Sequence, residues 1–249
     1  MSLTKQNGKV EEISLTTELS PEIMLKCGIL EEYHDKGFED FYGHPKKWKE
    51  LEPLIQEWNF RHPDKPIKLN YEEGRKLLEK IARYVRNIEN ARKKGISLLL
   101  AGSNGTGKTL LAVSVLKKAI AKGFTGQMTS LGGIIQLYTE GWSDPEKREL
   151  FDRRIRNVDF LLIDDVGKEY QAKNSDLTEI MFDNLIRYRV FRRKPFILTT
   201  NTSPVDLRNR YGNSLMSLLE GKTLKLQVVG EDYRKIIQSK QIWQILESD

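Results

Sequence analysis

Eight residues near the middle of the chain constrain its fold more than any other stretch. They read Gly102-Ser103-Asn104-Gly105-Thr106-Gly107-Lys108-Thr109, after an apolar run at 98–101 and before an amphipathic run at 110–121. The glycines let the backbone wrap tightly, so that successive N–H groups point at one anion. The order strand, glycine-rich loop, helix matches the pattern G-x-x-x-x-G-K-[ST], the P-loop, in its proper context.

P-loop chemistry assigns a role to each of these positions. The start of the following helix adds the positive end of its dipole to the loop amides. Lys108 is expected to reach the β- and γ-phosphates of a nucleotide, and the Thr109 hydroxyl to hold Mg²⁺. A chance glycine-rich turn is the alternative, and the flanking strand and helix disfavour it. The predicted nucleotide-binding residues are Gly102, Ser103, Asn104, Gly105, Thr106, Gly107, Lys108, Thr109 and Leu110.

A second chemical signal follows at 159–165. Four apolar residues at 160–163 indicate a strand buried on both faces of a parallel sheet, and Asp164 and Asp165 follow them. Carboxylates at this end of a strand lie where open α/β sheets bind ligands. The pattern is weak by itself but strong after a P-loop, where it is called Walker B. It predicts that Asp164 binds Mg²⁺, directly or through water, and that Asp165 orients or polarises the attacking water.

A third signal is the polar end of another apolar strand at 196–201. Asn201 would lie beside the γ-phosphate, next to the Walker B strand, and hydrogen-bond the attacking water, the position called sensor 1 in AAA+ ATPases. A turn-forming asparagine before Ser203-Pro204 is the alternative. The predicted catalytic residues are therefore Lys108, Asp165 and Asn201.

Composition bounds the class of protein. Hydrophobic residues make up 39% of the 249 residues, enough for a substantial core, and the net charge of +6 permits a polyanionic partner without requiring one. A single cysteine excludes an internal disulfide, and no apolar run approaches the length of a membrane span or resembles a signal peptide. These features predict a cytoplasmic protein with no membrane segment.

The chain divides into three predicted parts. Residues 1–21 are polar and aperiodic, which indicates a flexible N-terminal tail. Residues 22–70 form a leading segment with an aromatic and basic insertion, and 71–249 form the ATPase core. In the insertion, Trp48, Trp58 and Phe60 either stack on nucleobases or, as we favour, anchor the segment on the core. Apolar spacing predicts helices over 71–93, 145–156 and 231–246.

With these motifs in place, the chain resembles the DnaC/DnaI/IstB group of AAA+ ATPases, the replicative helicase loaders and their transposition-helper relatives. The resemblance runs from about residue 25 to 238. Besides the three common motifs, it depends on CGILEEY at 27–33, FEDF at 38–41, ARKKG at 91–95, LIDDVG at 162–167 and GEDYR at 230–234.

The resemblance implies an α/β fold: a P-loop NTPase (AAA+) three-layer sandwich with a parallel central sheet. The short stretch after Asn201 leaves room for a reduced C-terminal lid, or none. The implied cofactors are ATP and Mg²⁺, and the implied activity is hydrolysis of ATP to ADP and phosphate. The implied partners are single-stranded DNA and a replicative helicase, held by a homo-oligomer that ATP stabilises. A transposition helper that binds duplex DNA and a transposase, and a nucleotide-switched adaptor with little turnover, are the alternatives.

Two sets of basic residues are candidates for further roles. DNA contacts are expected from the helix over 145–156, through Lys147, Arg148, Arg153, Arg154 and Arg156. The family usually carries arginines in the short helix after sensor 1, and residues 212–219 contain none. Arg208 and Arg210 lie just upstream and are the candidates for an arginine finger. Because loss of such an arginine costs on the order of 10³–10⁵ in rate in related enzymes, we expect slow hydrolysis.

Overall fold

The computed structural model of the chain describes residues 19–167 and 175–238. Residues 1–18 of the predicted tail, 1–21, lie outside the described residues. The predicted helix over 231–246 lies outside them beyond residue 238, and residues 234–238 are helical.

The centre of the molecule is a parallel sheet of five strands, β1 (Ser97–Ala101), β2 (Gly126–Ser130), β3 (Phe160–Asp164), β4 (Phe196–Thr200) and β5 (Thr223–Gln227). Their order across the sheet is β2-β3-β4-β1-β5. Strand β4 therefore separates the P-loop strand β1 from the Walker B strand β3. Because the strands are parallel, their carboxyl ends share one edge, and this edge carries the P-loop, Asp164 and Asn201.

Nine α-helices, apart from the helical residues 234–238, surround the sheet in the described residues. They are α1 (Pro21–Lys26), α2 (Pro45–Arg61), α3 (Tyr71–Arg86), α4 (Ile88–Lys94), α5 (Lys108–Ala121), α6 (Leu131–Glu140), α7 (Pro145–Phe151), α8 (Ser175–Phe191) and α9 (Pro204–Lys222). Short 3-10 turns lie at Glu31–Tyr33 and Phe38–Asp40, and a π-helical turn lies at Asp152–Arg156.

Two hydrophobic cores lie on opposite faces of the sheet, as the alternation of side chains in β1 illustrates. Leu98 and Leu100 pack into the core formed with α2, α3 and α5, whereas Leu99 packs into the core formed with α6, α8 and α9. Helix, sheet and helix thus form the predicted three layers, and the α/β fold class is confirmed.

Two predicted helices are wrong in extent. The helix over 71–93 is interrupted at Asn87, whose side-chain amide donates to the Arg83 carbonyl and ends α3, so that α4 starts separately. The helix over 145–156 is α-helical only to Phe151 and continues as the π-helical turn. A local side-chain hydrogen bond competes with the helix at Asn87, and hydrophobic periodicity does not register it.

The leading segment packs on the same core as α3 and α5. Phe38, Phe41 and Tyr42 are almost fully buried there, and Trp48 and Trp58 of α2 are partly buried against the same core. The anchoring interpretation is therefore right for the two tryptophans. It is wrong for Phe60, which is 88% exposed because it lies on the solvent side of the last turn of α2.

Candidate nucleotide-binding site

The P-loop joins β1 to α5 in a conformation that needs glycine. Gly105 and Gly107 both have left-handed φ angles, 72° and 89°, which cost little only without a side chain. Helix α5 begins at Lys108, and no side chain caps its N-terminus. The amides of its first turn therefore remain directed at the loop, the arrangement that binds an anion.

Hydrogen bonds within the loop hold its shape. The Lys108 ammonium, which is almost fully buried, donates to the Ser103 carbonyl at 2.7 Å, and the Thr106 hydroxyl donates to the same oxygen at 3.0 Å. The Ser103 hydroxyl donates to the Gly230 carbonyl at 3.1 Å. The chain after β5 therefore supports the loop directly.

Thr109 and Asp164, the two predicted magnesium ligands, are in contact. The Thr109 hydroxyl donates to the Asp164 carboxylate at 3.0 Å, and the Thr199 hydroxyl donates to it at 2.5 Å. Burial raises the pKa of Asp164, and the two hydroxyl donors partly counteract this. A hydroxyl and a carboxylate are the hard oxygen ligands that Mg²⁺ prefers, and nucleotide phosphates usually complete its shell. The donor set therefore fits Mg²⁺.

Asp165 has an unusual backbone. Its φ is 58°, in the left-handed region, and its N–H donates to the Thr199 hydroxyl at 2.8 Å. Left-handed residues other than glycine are concentrated at functional sites. The fully buried Thr199 hydroxyl thus contacts both acidic residues, and sequence reasoning assigned it no role. Its position in β4, two residues before Asn201, could have indicated that Thr199 lies near the site.

Asn201 contacts the P-loop, as expected for a residue at the end of β4. Its side-chain amide donates to the side-chain oxygen Oδ1 of Asn104 at 2.8 Å. The structure therefore brings the P-loop, the Walker B carboxylates and Asn201 to one edge of the sheet.

A cavity of about 640 Å³ opens over this edge. Lys108, Thr109 and Asp165 lie on one side of it, and the other walls come from residues that sequence reasoning did not assign to the site: Glu32, Tyr33, Lys36, Asp40, Lys47, Tyr233 and Arg234. Burial raises the pKa of Tyr33 to about 12, and Asp164 and Thr109 are among the groups that act on it. Four of these wall residues lie in the motifs CGILEEY and GEDYR, which sequence analysis used only as evidence of family resemblance.

The two arginine-finger candidates differ in their surroundings. The Arg210 guanidinium donates to the Gly167 carbonyl at 3.1 Å, just after the Walker B carboxylates of the same chain. Arg208 is half-exposed and contacts Glu220 at 3.3 Å and Asn213 at 3.2 Å. Arg210 therefore lies near the site in its own chain, and Arg208 faces the surface.

The five basic candidates for DNA binding lie on α7 and the π-helical turn. Arg148 donates to the Gly141 carbonyl at 3.0 Å, Lys147 pairs with Glu140 at 3.6 Å, and Arg156 pairs with Asp152 at 3.0 Å. Arg153 and Arg154 are exposed and have no ion pair among the described residues. Trp142, which sequence reasoning did not assign, is 61% exposed on a cavity of about 750 Å³ that Arg148 and Arg156 also line. The aromatic and basic side chains thus share one surface.

Within the described ranges, no helix has both the length and the apolar character needed to cross a membrane.

Comparison with known proteins supports the same assignment. Residues 60–241 match the family model described as IstB-like ATP binding protein. The uncharacterized protein YdaV of Escherichia coli (strain K12) is 22% identical over 116 residues, a match that spans 47% of this chain and 46% of YdaV.

Two solved structures share the fold. The DnaC helicase loader has a TM-score of 0.61 at 22% identity, covering 80% of this chain and 100% of that one. The replication initiator DnaA bound to AMPPCP and single-stranded DNA has a TM-score of 0.50 at 24% identity, covering 66% of this chain and 50% of that one.

The family match covers most of the chain and includes all three predicted motifs, and the parallel sheet places those motifs at one edge. The chain belongs to the IstB-like ATP-binding protein family.

Proposed function

We propose that this protein is an ATP-dependent AAA+ protein of the helicase-loader type that acts in DNA replication in the cytoplasm. It binds ATP·Mg²⁺ in the core formed by 71–249, hydrolyses it slowly, and as an ATP-bound homo-oligomer holds single-stranded DNA and a replicative helicase. The observation that carries the proposal is the convergence of Thr109, Asp164, Asn104 and Asn201 at one edge of the sheet.

The convergence supports hydrolysis as well as binding. Lys108 neutralises charge on the β- and γ-phosphates, Thr109 and Asp164 hold Mg²⁺, and Asp165 and Asn201 orient the attacking water. Slow turnover is supported by the contact of Arg210 with Gly167. An arginine held by its own chain is less available to a neighbouring subunit's site.

DNA binding is supported by the exposed Arg153 and Arg154, and by the exposed Trp142, which lines a cavity together with Arg148 and Arg156. Cations that follow a phosphate backbone, together with an aromatic face for bases, are typical of single-strand binding. DnaA, which has the same fold, was solved with AMPPCP and single-stranded DNA.

Thermal unfolding with ATP·Mg²⁺ tests the nucleotide site. A ligand at about a hundred times its Kd stabilises a fold by about 2.7 kcal/mol, so the melting temperature should rise by several degrees. Lys108→Ala should abolish the rise, and Lys49→Ala, an exposed lysine of α2, should keep it. An unchanged melting temperature in the wild type would contradict ATP binding.

A salt series with single-stranded DNA, with and without ATP·Mg²⁺, tests the DNA contact. The affinity should be higher with ATP and fall steeply with salt, and Arg153→Ala with Arg154→Ala should flatten the dependence. No binding at about 50 mM salt, or a flat response in the wild type, would overturn the DNA part of the proposal.

The IstB-like family match favours a second candidate, a transposition helper that binds duplex DNA and a transposase. Higher affinity for duplex than for single-stranded DNA would select it.

The contact of Arg210 with Gly167 favours a third candidate, an adaptor with little turnover. Mixing Asp165→Asn and Arg210→Ala subunits tests it: recovery of ATPase activity in the mixture would establish an arginine acting between subunits, and no turnover in the wild type with DNA present would select the adaptor.

A further inference from the structure

Two helix ends meet at the edge of the sheet opposite the nucleotide site. Helix α4 ends just before β1, and α8 ends just before β4. A Cβ built on Gly95 would lie 2.8 Å from the Cα of Arg193, and the Arg92 guanidinium donates to the Arg193 carbonyl at 3.0 Å. Segments far apart in sequence thus form one surface.

This surface is strongly cationic. We call it the N-edge cluster, defined by Arg92, Lys93, Lys94, Arg192, Arg193 and Lys194. The Asp159 carboxylate pairs with Arg92 of this cluster at 2.7 Å. Burial, and then the charge of Arg92, lowers the pKa of Lys194. Lys93, Lys94, Arg192 and Arg193 are exposed and have no ion pair among the described residues.

Helix dipoles account for only part of the cluster. Cations in the last turn of a helix interact favourably with its negative end, which explains Lys93 and Lys94. The dipole does not explain Phe191, which is 83% exposed and directly precedes Arg192 and Arg193 in the chain. Nor does it explain Arg193, whose φ of 52° is left-handed at a place where helices usually have glycine. Folding alone favours neither residue.

The N-edge cluster is continuous with the basic π-helical turn. The Tyr188 ring has the Arg156 guanidinium 4.3 Å from its centroid and the Arg192 guanidinium at 5.8 Å. The hydroxyl of Tyr188 donates to the Asn157 side chain at 2.9 Å. A strand of phosphates that crosses Arg153 and Arg154 therefore has further cations in its path.

We propose that the N-edge cluster is a second contact surface for single-stranded DNA, in which Arg192 and Arg193 bind phosphates and the Phe191 ring stacks on a base. The inference rests on the proposed function, because it extends the path of the same DNA. An exposed aromatic ring followed in the chain by exposed cations fits a single strand, whose bases have free faces, better than a duplex, whose bases are stacked on each other.

The test measures the Kd for oligo(dT) and for a duplex over a salt series. Phe191→Ala should weaken oligo(dT) binding about tenfold, with the salt dependence kept and the duplex affinity unchanged. Arg193→Gly should lower the slope of log K against log salt by about 0.7, the value for one phosphate contact on a single strand. Its melting temperature should stay the same or rise, since glycine suits the left-handed conformation.

Lys76→Ala with Lys80→Ala, exposed lysines of α3, provides the matched control and should leave the slope unchanged. If Phe191→Ala and Arg193→Gly bind oligo(dT) like the wild type while Arg153→Ala with Arg154→Ala does not, this inference is overturned and the proposed function stands. If the wild type binds no DNA, the DNA part of the proposed function fails first. Loss of binding to poly-glutamate with unchanged DNA affinity would also overturn the inference, in favour of an acidic protein partner.

Discussion

The Thr109 hydroxyl donates a hydrogen bond to the Asp164 carboxylate across 3.0 Å, although the two residues are 55 positions apart in the chain. Thr109 lies in the first turn of the helix after β1, Asp164 ends β3, and β4 lies between those two strands. The hydroxyl of Thr199, in β4, donates to the same carboxylate. The contact between the two predicted metal ligands therefore depends on the order of β3, β4 and β1 in the sheet.

The Thr109 hydroxyl should be required for the contribution of Mg²⁺ to ATP binding. Thr109→Ala removes one hard oxygen ligand, so the gain in ATP affinity on adding Mg²⁺ should largely disappear. Titration calorimetry with Mg²⁺ and with EDTA measures this gain. Thr109→Ser keeps the hydroxyl and should retain the gain. Equal gains in Thr109→Ala and the wild type would exclude Thr109 as a metal ligand.

Gly105→Ala should damage the P-loop. The added Cβ would lie 1.8 Å from the Asp232 carboxylate oxygen, and the φ of 72° is unfavourable for alanine. We expect loss of the thermal shift by ATP·Mg²⁺. Gly132, near the start of α6, provides a control, because a Cβ built there would lie 3.8 Å from its nearest neighbour, the Ser130 hydroxyl. Gly132→Ala should therefore keep the ATP shift and stabilise the fold by about 0.5–1 kcal/mol. A normal ATP shift in Gly105→Ala would contradict the geometry of the loop.

Arg189 should be among the most important side chains for stability. Its fully buried guanidinium donates to the carbonyls of five residues, Ile155, Arg156, Val158, Asp159 and Pro195. Arg189→Met removes all of these buried hydrogen bonds, and the free energy of unfolding should fall by about 3 kcal/mol or more. Urea denaturation measures the loss. Arg192→Met, at an exposed position, should change it by less than about 0.5 kcal/mol. Equal effects of the two substitutions would be inconsistent with this role of Arg189.

Asp159 should contribute stability that depends on pH. Burial raises the pKa of this carboxyl group, but hydrogen bonds from Arg92 and Thr125 outweigh burial and hold the pKa below its usual range. The contribution is therefore present above the unfolded-state pKa of about 3.9 and is lost as the pH falls through the folded-state pKa.

Asp159→Asn should consequently lower the melting temperature at neutral pH, with the difference from the wild type shrinking below about pH 4. Thermal unfolding between neutral pH and pH 3 measures it. Asp64→Asn, at an exposed position in the turn after α2, should match the wild type throughout. A difference that stays constant with pH would mean that Asp159 acts through packing rather than charge.

The chain's chemistry could be predicted from local sequence because phosphate and metal binding require particular residue types at short spacing. The P-loop glycines, Lys108 and the two aspartates carry that information within a few residues. Hydrophobic runs likewise predicted the strands β1, β3 and β4, since buried parallel strands read as continuous apolar segments. Helix ends were predicted less well, as the break at Asn87 illustrates, because a single side-chain hydrogen bond decided it.

The sequence by itself determined that this chain has a nucleotide-binding P-loop fold and which residues form the P-loop and the acidic end of β3. Only the tertiary structure decided what surrounds them: Asn201 on Asn104, Thr199 between the two aspartates, and Tyr33 and Arg234 in the walls of the cavity. It also brought Gly95 against Arg193 and thereby formed the N-edge cluster. These contacts join residues distant in sequence, and their formation depends on strand order and helix docking, which apolar patterns of period 2 or 3.6 do not encode.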